Sequence, residues 1–233
     1  MPASNLKILD CELTPLGLLC LRRRRLLSRP DVVVTEVTLD HEFLMSSYIT
    51  VSERTLATRA LEMHKGRELC VLVGGLGLGY TAYEVLTAGA KRVTHVDVVE
   101  YLPQVIGWVD RDLIPLAPQL RADDRLAVVE GDVYARLGEP PARTYDLILI
   151  DVDHAPDHQL DRASASFYTA AGLRRAREHL SPGGILGVWS YAEHSPFSAA
   201  LREVFDDVRV EAVPYYNDLV DEGATDWLFF ARA

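Results

Sequence analysis

A strand-like run ending in closely spaced glycines, VLVGGLGLGYT from Val71 to Thr81, is the part of this sequence best suited to hold a ligand. Glycines at 74, 75, 77 and 79 remove the Cβ atoms from a backbone that must pass close to a bound molecule. The helical pattern TAYEVLTA that follows would offer free N–H groups at its start. The spacing Gly75-x-Gly77-x-Gly79 is one residue tighter than the dinucleotide fingerprint, which favours an adenosyl ligand over NAD. Twenty-one residues after Gly79, Glu100 closes the next strand-like run, where an acidic side chain can accept hydrogen bonds from both ribose hydroxyls. Asp97 is its rival, but it falls inside a strand expected to be buried on both faces, where an unpaired carboxylate is costly. Asp132, after LAVVEG, is set to accept from an adenine amino group, or simply to open a loop.

The segment YDLILIDVDHAPDHQLD, Tyr145 to Asp161, carries Asp151, Asp153, Asp157 and Asp161 with no Lys or Arg. Ligands of open parallel sheets lie beyond the carboxyl ends of the strands, so Asp151 should reach the cleft beside the adenosyl group. An amine nucleophile is mostly protonated near neutrality, and a carboxylate that binds the ammonium and helps remove its proton meets that need. Asp151 and Asp153 are therefore the candidate catalytic residues, with helix and turn capping as the plainer role. Tyr215 and Tyr216, with Asp218 and Asp221, come from the stretch before the last strand and would complete an acidic, aromatic mouth for a cationic amine. His154 is a possible proton shuttle or a surface residue. Apart from His154 and His158, which lie in a loop with Pro156 between them, the histidines lack metal-ligand spacing, and no metal is expected.

The elements that must position these groups can be read from alternation. From Cys70 onward, CVLVGG, RVTHVDVVE, RLAVVEGD, YDLILIDVD, GILGVWS, VRVEAVP and DWLFFARA alternate with helical patterns until the last two runs, which follow each other closely. That order predicts an α/β, Rossmann-like, class I methyltransferase-type sheet of seven strands closed by an antiparallel pair. Residues 1–50 read as a small β-hairpin appendage, and 51–233 as the adenosyl-ligand-binding α/β transferase domain. A helix follows the hairpins, with Ser52 as its N-cap, a stripe of Leu56, Ala57, Ala60 and Leu61, and Gly66 at its end.

At 233 residues and 48% hydrophobic, the chain can bury one sizeable core. It carries neither an apolar run long enough to span a bilayer nor a signal-peptide pattern at its start, so a cytoplasmic protein without membrane contact is expected. A net charge of −10 argues against nucleic-acid partners. The block Arg22 to Arg25 has no interleaved aromatics and reads as a solvated strand end or subunit-contact edge. A homodimer through the hairpins is plausible. Cys11, Cys20 and Cys70 favour neither a disulfide nor a zinc site.

These motifs resemble the spermidine synthase (polyamine aminopropyltransferase) family, in particular its divergent bacterial branch. VLVGGLGLGYT resembles the family's glycine loop, VVEYLPQVI its ribose-binding strand end, EGD its adenine-contacting Asp, YDLILIDVDHAP its catalytic loop, and FYTAAGLRRAREHLSPGGIL the helix and strand that follow. The resemblance implies an S-adenosylmethionine-type donor, decarboxylated or intact, and an alkyl (aminopropyl) group passed to a small amine or polyamine. It implies that Glu100 holds ribose, Asp132 adenine, and that Asp151 is the base. The chain departs at Leu78, where the family carries an Asp tied to the donor's aminopropyl end, and at Val152, Asp153 and His154 in the catalytic loop. The departures leave two alternatives: a methyltransferase using intact S-adenosylmethionine, favoured by Leu78, and a non-catalytic nucleoside- or polyamine-binding protein.

Overall fold

A computed structural model describes residues 5–152, 154–158 and 162–233. Two sheets organise it. The first is an antiparallel meander of β1 (Leu6–Thr14), β2 (Gly17–Arg25), β3 (Val33–Leu39) and β4 (Glu42–Ser46), paired in that order. It exceeds the expected hairpins by β4, whose five residues EFLMS carry no strict alternation. Leu19, Leu21 and Val37 from its inner face enter the same core as the helices below.

The second sheet has seven strands: β5 (Leu69–Gly74), β6 (Val93–Glu100), β7 (Leu126–Glu130), β8 (Tyr145–Ile150), β9 (Leu180–Ser190), β10 (Asp207–Asn217) and β11 (Glu222–Arg232). Their spatial order is β10-β11-β9-β8-β5-β6-β7, parallel from β7 through β9, with β11 antiparallel to both β9 and β10. The expected order and its antiparallel closing pair are present. β5 and β8 are buried over nearly their whole length, because helices cover both faces of a parallel sheet. Since β6 lies on one side of β5 and β8 on the other, successive loops leave in opposite directions there, and a crevice opens above the carboxyl ends of β5 and β8.

Helix α1 (Val51–Met63) buries the stripe Leu56, Ala57, Ala60 and Leu61, each side chain worth up to about 3 kcal/mol for the larger ones. Its N-cap is Thr50 rather than Ser52, and it stops at Met63, before Gly66. Ser52 is instead buried, its hydroxyl donating to Asp226 Oδ2 at 2.5 Å. The other helices are α2 (Tyr80–Ala88), α3 (Pro103–Asp110), α4 (Ala117–Arg121), α5 (Val133–Gly138), α6 (Ala170–Glu178) and α7 (Ser195–Val204). The arginine block lies at the end of β2: Arg22 and Arg24 place their Nε atoms on the buried carboxylate of Glu36 at 2.9 and 2.5 Å, and Arg23 donates to the Leu113 carbonyl. The expectation of no disulfide is corrected, because the β1–β2 register sets Cys11 opposite Cys20 with Cα atoms 4.1 Å apart and their sulfurs bonded. Cys70 is free. No helix among the described residues is long and apolar enough to cross a membrane.

Candidate functional site

The glycine loop lies where the crevice opens. Gly75 donates to the Val99 carbonyl at 2.9 Å, and Asp151 N donates to the Gly74 carbonyl at 3.0 Å, so the ends of β5, β6 and β8 are tied together. Gly75 has φ +88°, and a Cβ there would stand 2.5 Å from the Asp151 carbonyl oxygen. Gly77, at φ +51°, approaches the Met45 sulfur, to which a Cβ would come within 3.0 Å. Backbone crowding and a left-handed φ require glycine at Gly75, and the left-handed φ favours it at Gly77. Gly79, also at positive φ, opens α2.

Two cavities meet at this loop. The first is walled by Leu19, Val37, Val99, Leu102, Val105 and Val133, and Gly75, Gly77, Glu100, Asp132 and Asp151 all border it. Glu100 is buried at the end of β6, where Oε2 accepts from Leu76 N and Oε1 from Leu102 N, both at 2.8 Å. Burial raises its pKa, while the N–H groups of Leu102, Leu76, Gly77 and Tyr101 favour the ionised form. The two short bonds come from Leu76 and Leu102 and the N–H groups of Gly77 and Tyr101 also act on the carboxylate, so a ligand hydroxyl would share its oxygens with backbone donors. Asp132 caps α5, with Oδ1 accepting from Tyr134 N at 2.8 Å and Ala135 N at 3.2 Å, so the loop-opening role coexists with its place on the cavity wall. Asp97 lies away from both cavities. Its carboxylate accepts from Tyr145 Oη at 2.7 Å and meets His95 Nε2 at 2.9 Å, with Arg143 at 3.4 Å and Arg136 at 3.6 Å. Burial pushes its pKa up, but these bonds and charges outweigh burial and hold it low.

The second cavity, of about 360 Å³, lies between the first sheet, α1, the glycine loop and the β10–β11 ribbon. Asp151 borders both cavities and accepts from Thr81 Oγ1 at 2.7 Å. Burial, reinforced by the Asp226 charge, lifts its pKa to about 6. Two further carboxylates join it. Glu53 on α1 is pushed up to about 8 by burial and by the charges of Asp151 and Asp226, and Asp226 on β11 is raised chiefly by burial despite the Ser52 hydroxyl. Tyr80, Tyr191, Tyr215 and His154 line the same space.

The sequence left Glu53 and Asp226 out, although each carried a signal. Glu53 is three, four and seven residues before Leu56, Ala57 and Ala60, and so belongs to the apolar stripe of α1. Asp226 alternates with Leu228 and Phe230, both fully buried, and thus continues an inward row of β11. Of the expected mouth, Tyr215 is on the cavity wall, whereas Tyr216, its neighbour on a strand, points the other way and bonds the exposed Asp221. Asp218 bonds Tyr48 Oη at 2.5 Å and Arg29 at 2.7 Å at the surface. Asp157 is exposed and 3.5 Å from His194. Asp153 and Asp161 lie outside the described residues. Among the described residues, no group of three His, Cys, Asp or Glu side chains could hold a metal.

No family model matches the sequence. Over 121 residues, 51% of the chain, it is 35% identical to polyamine aminopropyltransferase 2 of Streptomyces coelicolor, of which the match spans only 21%. The fold matches a spermidine synthase crystallised with the transition-state analogue AdoDATO, at a TM-score of 0.74 and 17% identity, covering 97% of this chain and 73% of that one. The chain resembles the polyamine aminopropyltransferases. The spermidine synthase of Thermotoga maritima superposes comparably, at a TM-score of 0.72 and 17% identity over 97% of this chain and 72% of that one. Human methyltransferase-like protein 13, solved with SAH, shares the α/β architecture at a TM-score of 0.53 and 21% identity, over 78% of this chain and 79% of that one. Leu78, one of this sequence's departures from the resemblance, is buried at the wall of the second cavity.

Proposed function

We propose that the chain is a transferase that takes an S-adenosyl-type donor in the first cavity and passes an alkyl group, aminopropyl in the form its relatives' names suggest, to an amine in the second. The carrying observation is that Asp151 borders both cavities, so one carboxylate faces the place where donor carbon and acceptor nitrogen would meet. The first cavity suits an adenosyl group on its own chemistry: apolar walls for the base, glycine backbone at its edge, and two acidic residues with acceptor capacity, Glu100 toward ribose and Asp132 toward adenine.

In this reading the amine nitrogen attacks the carbon bonded to the sulfonium, the N–C bond forms as the C–S bond breaks, and neutral methylthioadenosine leaves. The protein contributes alignment and removal of the ammonium proton. Moving a proton from an ammonium of ordinary pKa, about 10.4, to a carboxylate of about 3.9 costs roughly 9 kcal/mol. A carboxylate raised to about 6 lowers that cost to roughly 6 kcal/mol. Burial of Asp151 beside Asp226 therefore favours the chemistry as well as the binding of a cation.

A second reading, methyl transfer from intact S-adenosylmethionine, is favoured by the apolar Leu78 at the wall of the second cavity. Incubating the protein with each donor and a panel of amines, and identifying the nucleoside released, separates them: methylthioadenosine marks aminopropyl transfer and S-adenosylhomocysteine marks methyl transfer. Amine-independent absence of both would leave only a binding protein.

A further inference from the structure

The second cavity is lined by a cationic side chain as well as by carboxylates. Arg24, at the end of β2, lines it together with Glu36. Two guanidinium groups, those of Arg22 and Arg24, share that one carboxylate, so the cluster keeps one positive charge in excess. Arg24 uses only Nε for Glu36, and its two terminal nitrogens, which carry four N–H donors, bond no protein group among the described residues. A half-exposed guanidinium with its planar donor face unused is suited to a carboxylate, which it can grip through two parallel hydrogen bonds. The same cavity is lined by Glu53, Asp151 and Asp226, which suit an ammonium group.

We infer that the molecule held in the second cavity bears both an ammonium and a carboxylate group, the ammonium toward Glu53, Asp151 and Asp226 and the carboxylate on Arg24. This rests on the donor and acceptor assignment above and refines it, since a plain diamine would leave the donor face of Arg24 unmatched. An aminocarboxylate can come from two sources: an amino-acid acceptor, or the tail of intact S-adenosylmethionine reaching past Gly77 and Met45, which border both cavities.

Calorimetric titration of two ligand pairs tests it. Ornithine is compared with putrescine on protein saturated with methylthioadenosine, and S-adenosylmethionine is compared with its decarboxylated form on free protein. Charge-assisted bonds of this kind correspond to a preference of about tenfold or more for the carboxylate-bearing member in at least one pair. The pair that shows it identifies the source. Arg24→Met should erase the preference, and Arg24→Lys, which keeps the charge and guards against mere misfolding, should retain part of it. The inference is overturned if the decarboxylated members bind as well or better in both pairs, or if Arg24→Met keeps the wild-type preference. Failure of methylthioadenosine itself to bind would remove the adenosyl-site assignment, and this inference with it.

Discussion

Glu53 and Asp151 come from elements far apart in the chain, the first turn of α1 and the end of β8, yet they line one cavity, and the charge of Asp151 helps hold the Glu53 carboxyl up at about 8. A space that keeps a carboxylic acid protonated near neutrality is a space prepared for a cation.

The first consequence concerns stability. Glu53 has a folded pKa of about 8 against an ordinary value of 4.5, so between those values the folded state holds a proton the unfolded chain has released. Folding stability should therefore fall as pH rises from about 5 to about 8. Glu53→Gln removes its share of that slope, leaving the shallower part due to Asp151 and Asp226, and should make the protein more stable at pH 8 by about 1–3 kcal/mol, less than full linkage implies because the side chain is partly exposed. Denaturant melts of both proteins across this range check it, and parallel slopes would contradict it.

Binding should release protons. An ammonium placed beside Glu53 favours its ionised form, so titration of a cationic amine at pH 7 should expel on the order of one proton per site. Calorimetry in buffers of different ionisation enthalpy reads this directly, and heats independent of buffer would argue that Glu53 does not meet the amine.

Turnover should need the Asp151 carboxylate. Asp151→Asn is expected to lower kcat by roughly 100-fold or more with little change in donor affinity, since Glu100 and Asp132 are assigned to the donor. In the wild type, activity should be lost as pH falls through about 6, where Asp151 takes up its proton. Normal turnover by the Asn variant would remove Asp151 from the chemistry.

The two strand carboxylates should separate. Asp97→Ala strips a buried network from Tyr145, His95 and Arg143 and should cost about 2–4 kcal/mol of stability with ligand affinity intact. Glu100→Gln, which keeps an acceptor for one of the two backbone N–H groups, should weaken adenosyl-ligand binding by about 1–3 kcal/mol. The opposite pattern would exchange their roles.

What the sequence made legible was local or periodic. The strand-to-glycine turn and the sheet order follow from the alternation of strand and helix patterns, and the structure sets Glu100 rather than Asp97 on the first cavity's wall. What escaped depended on partners distant in the chain. Ser52 looks like a cap until Asp226, 174 residues on, is brought against it. Cys11 and Cys20 pair only through a hairpin register that composition does not reveal. Tyr215 and Tyr216 are adjacent in sequence, yet on a strand adjacent side chains face opposite ways, so only Tyr215 reaches the cavity wall. Glu53 and Asp226 were readable as carboxylates on apolar faces, and charge alone disguised them as surface.

An adenosyl ligand at the loop Gly74 to Gly79 underlies every role proposed for these residues. Titrating the protein with S-adenosylmethionine, its decarboxylated form and methylthioadenosine tests that directly. Saturable one-to-one binding of at least one of them is expected, lost in a Gly77→Val variant that still unfolds cooperatively, because the branched side chain would crowd Met45 and the ligand edge at a positive φ. No binding of any of the three, or unchanged affinity in Gly77→Val, would contradict it.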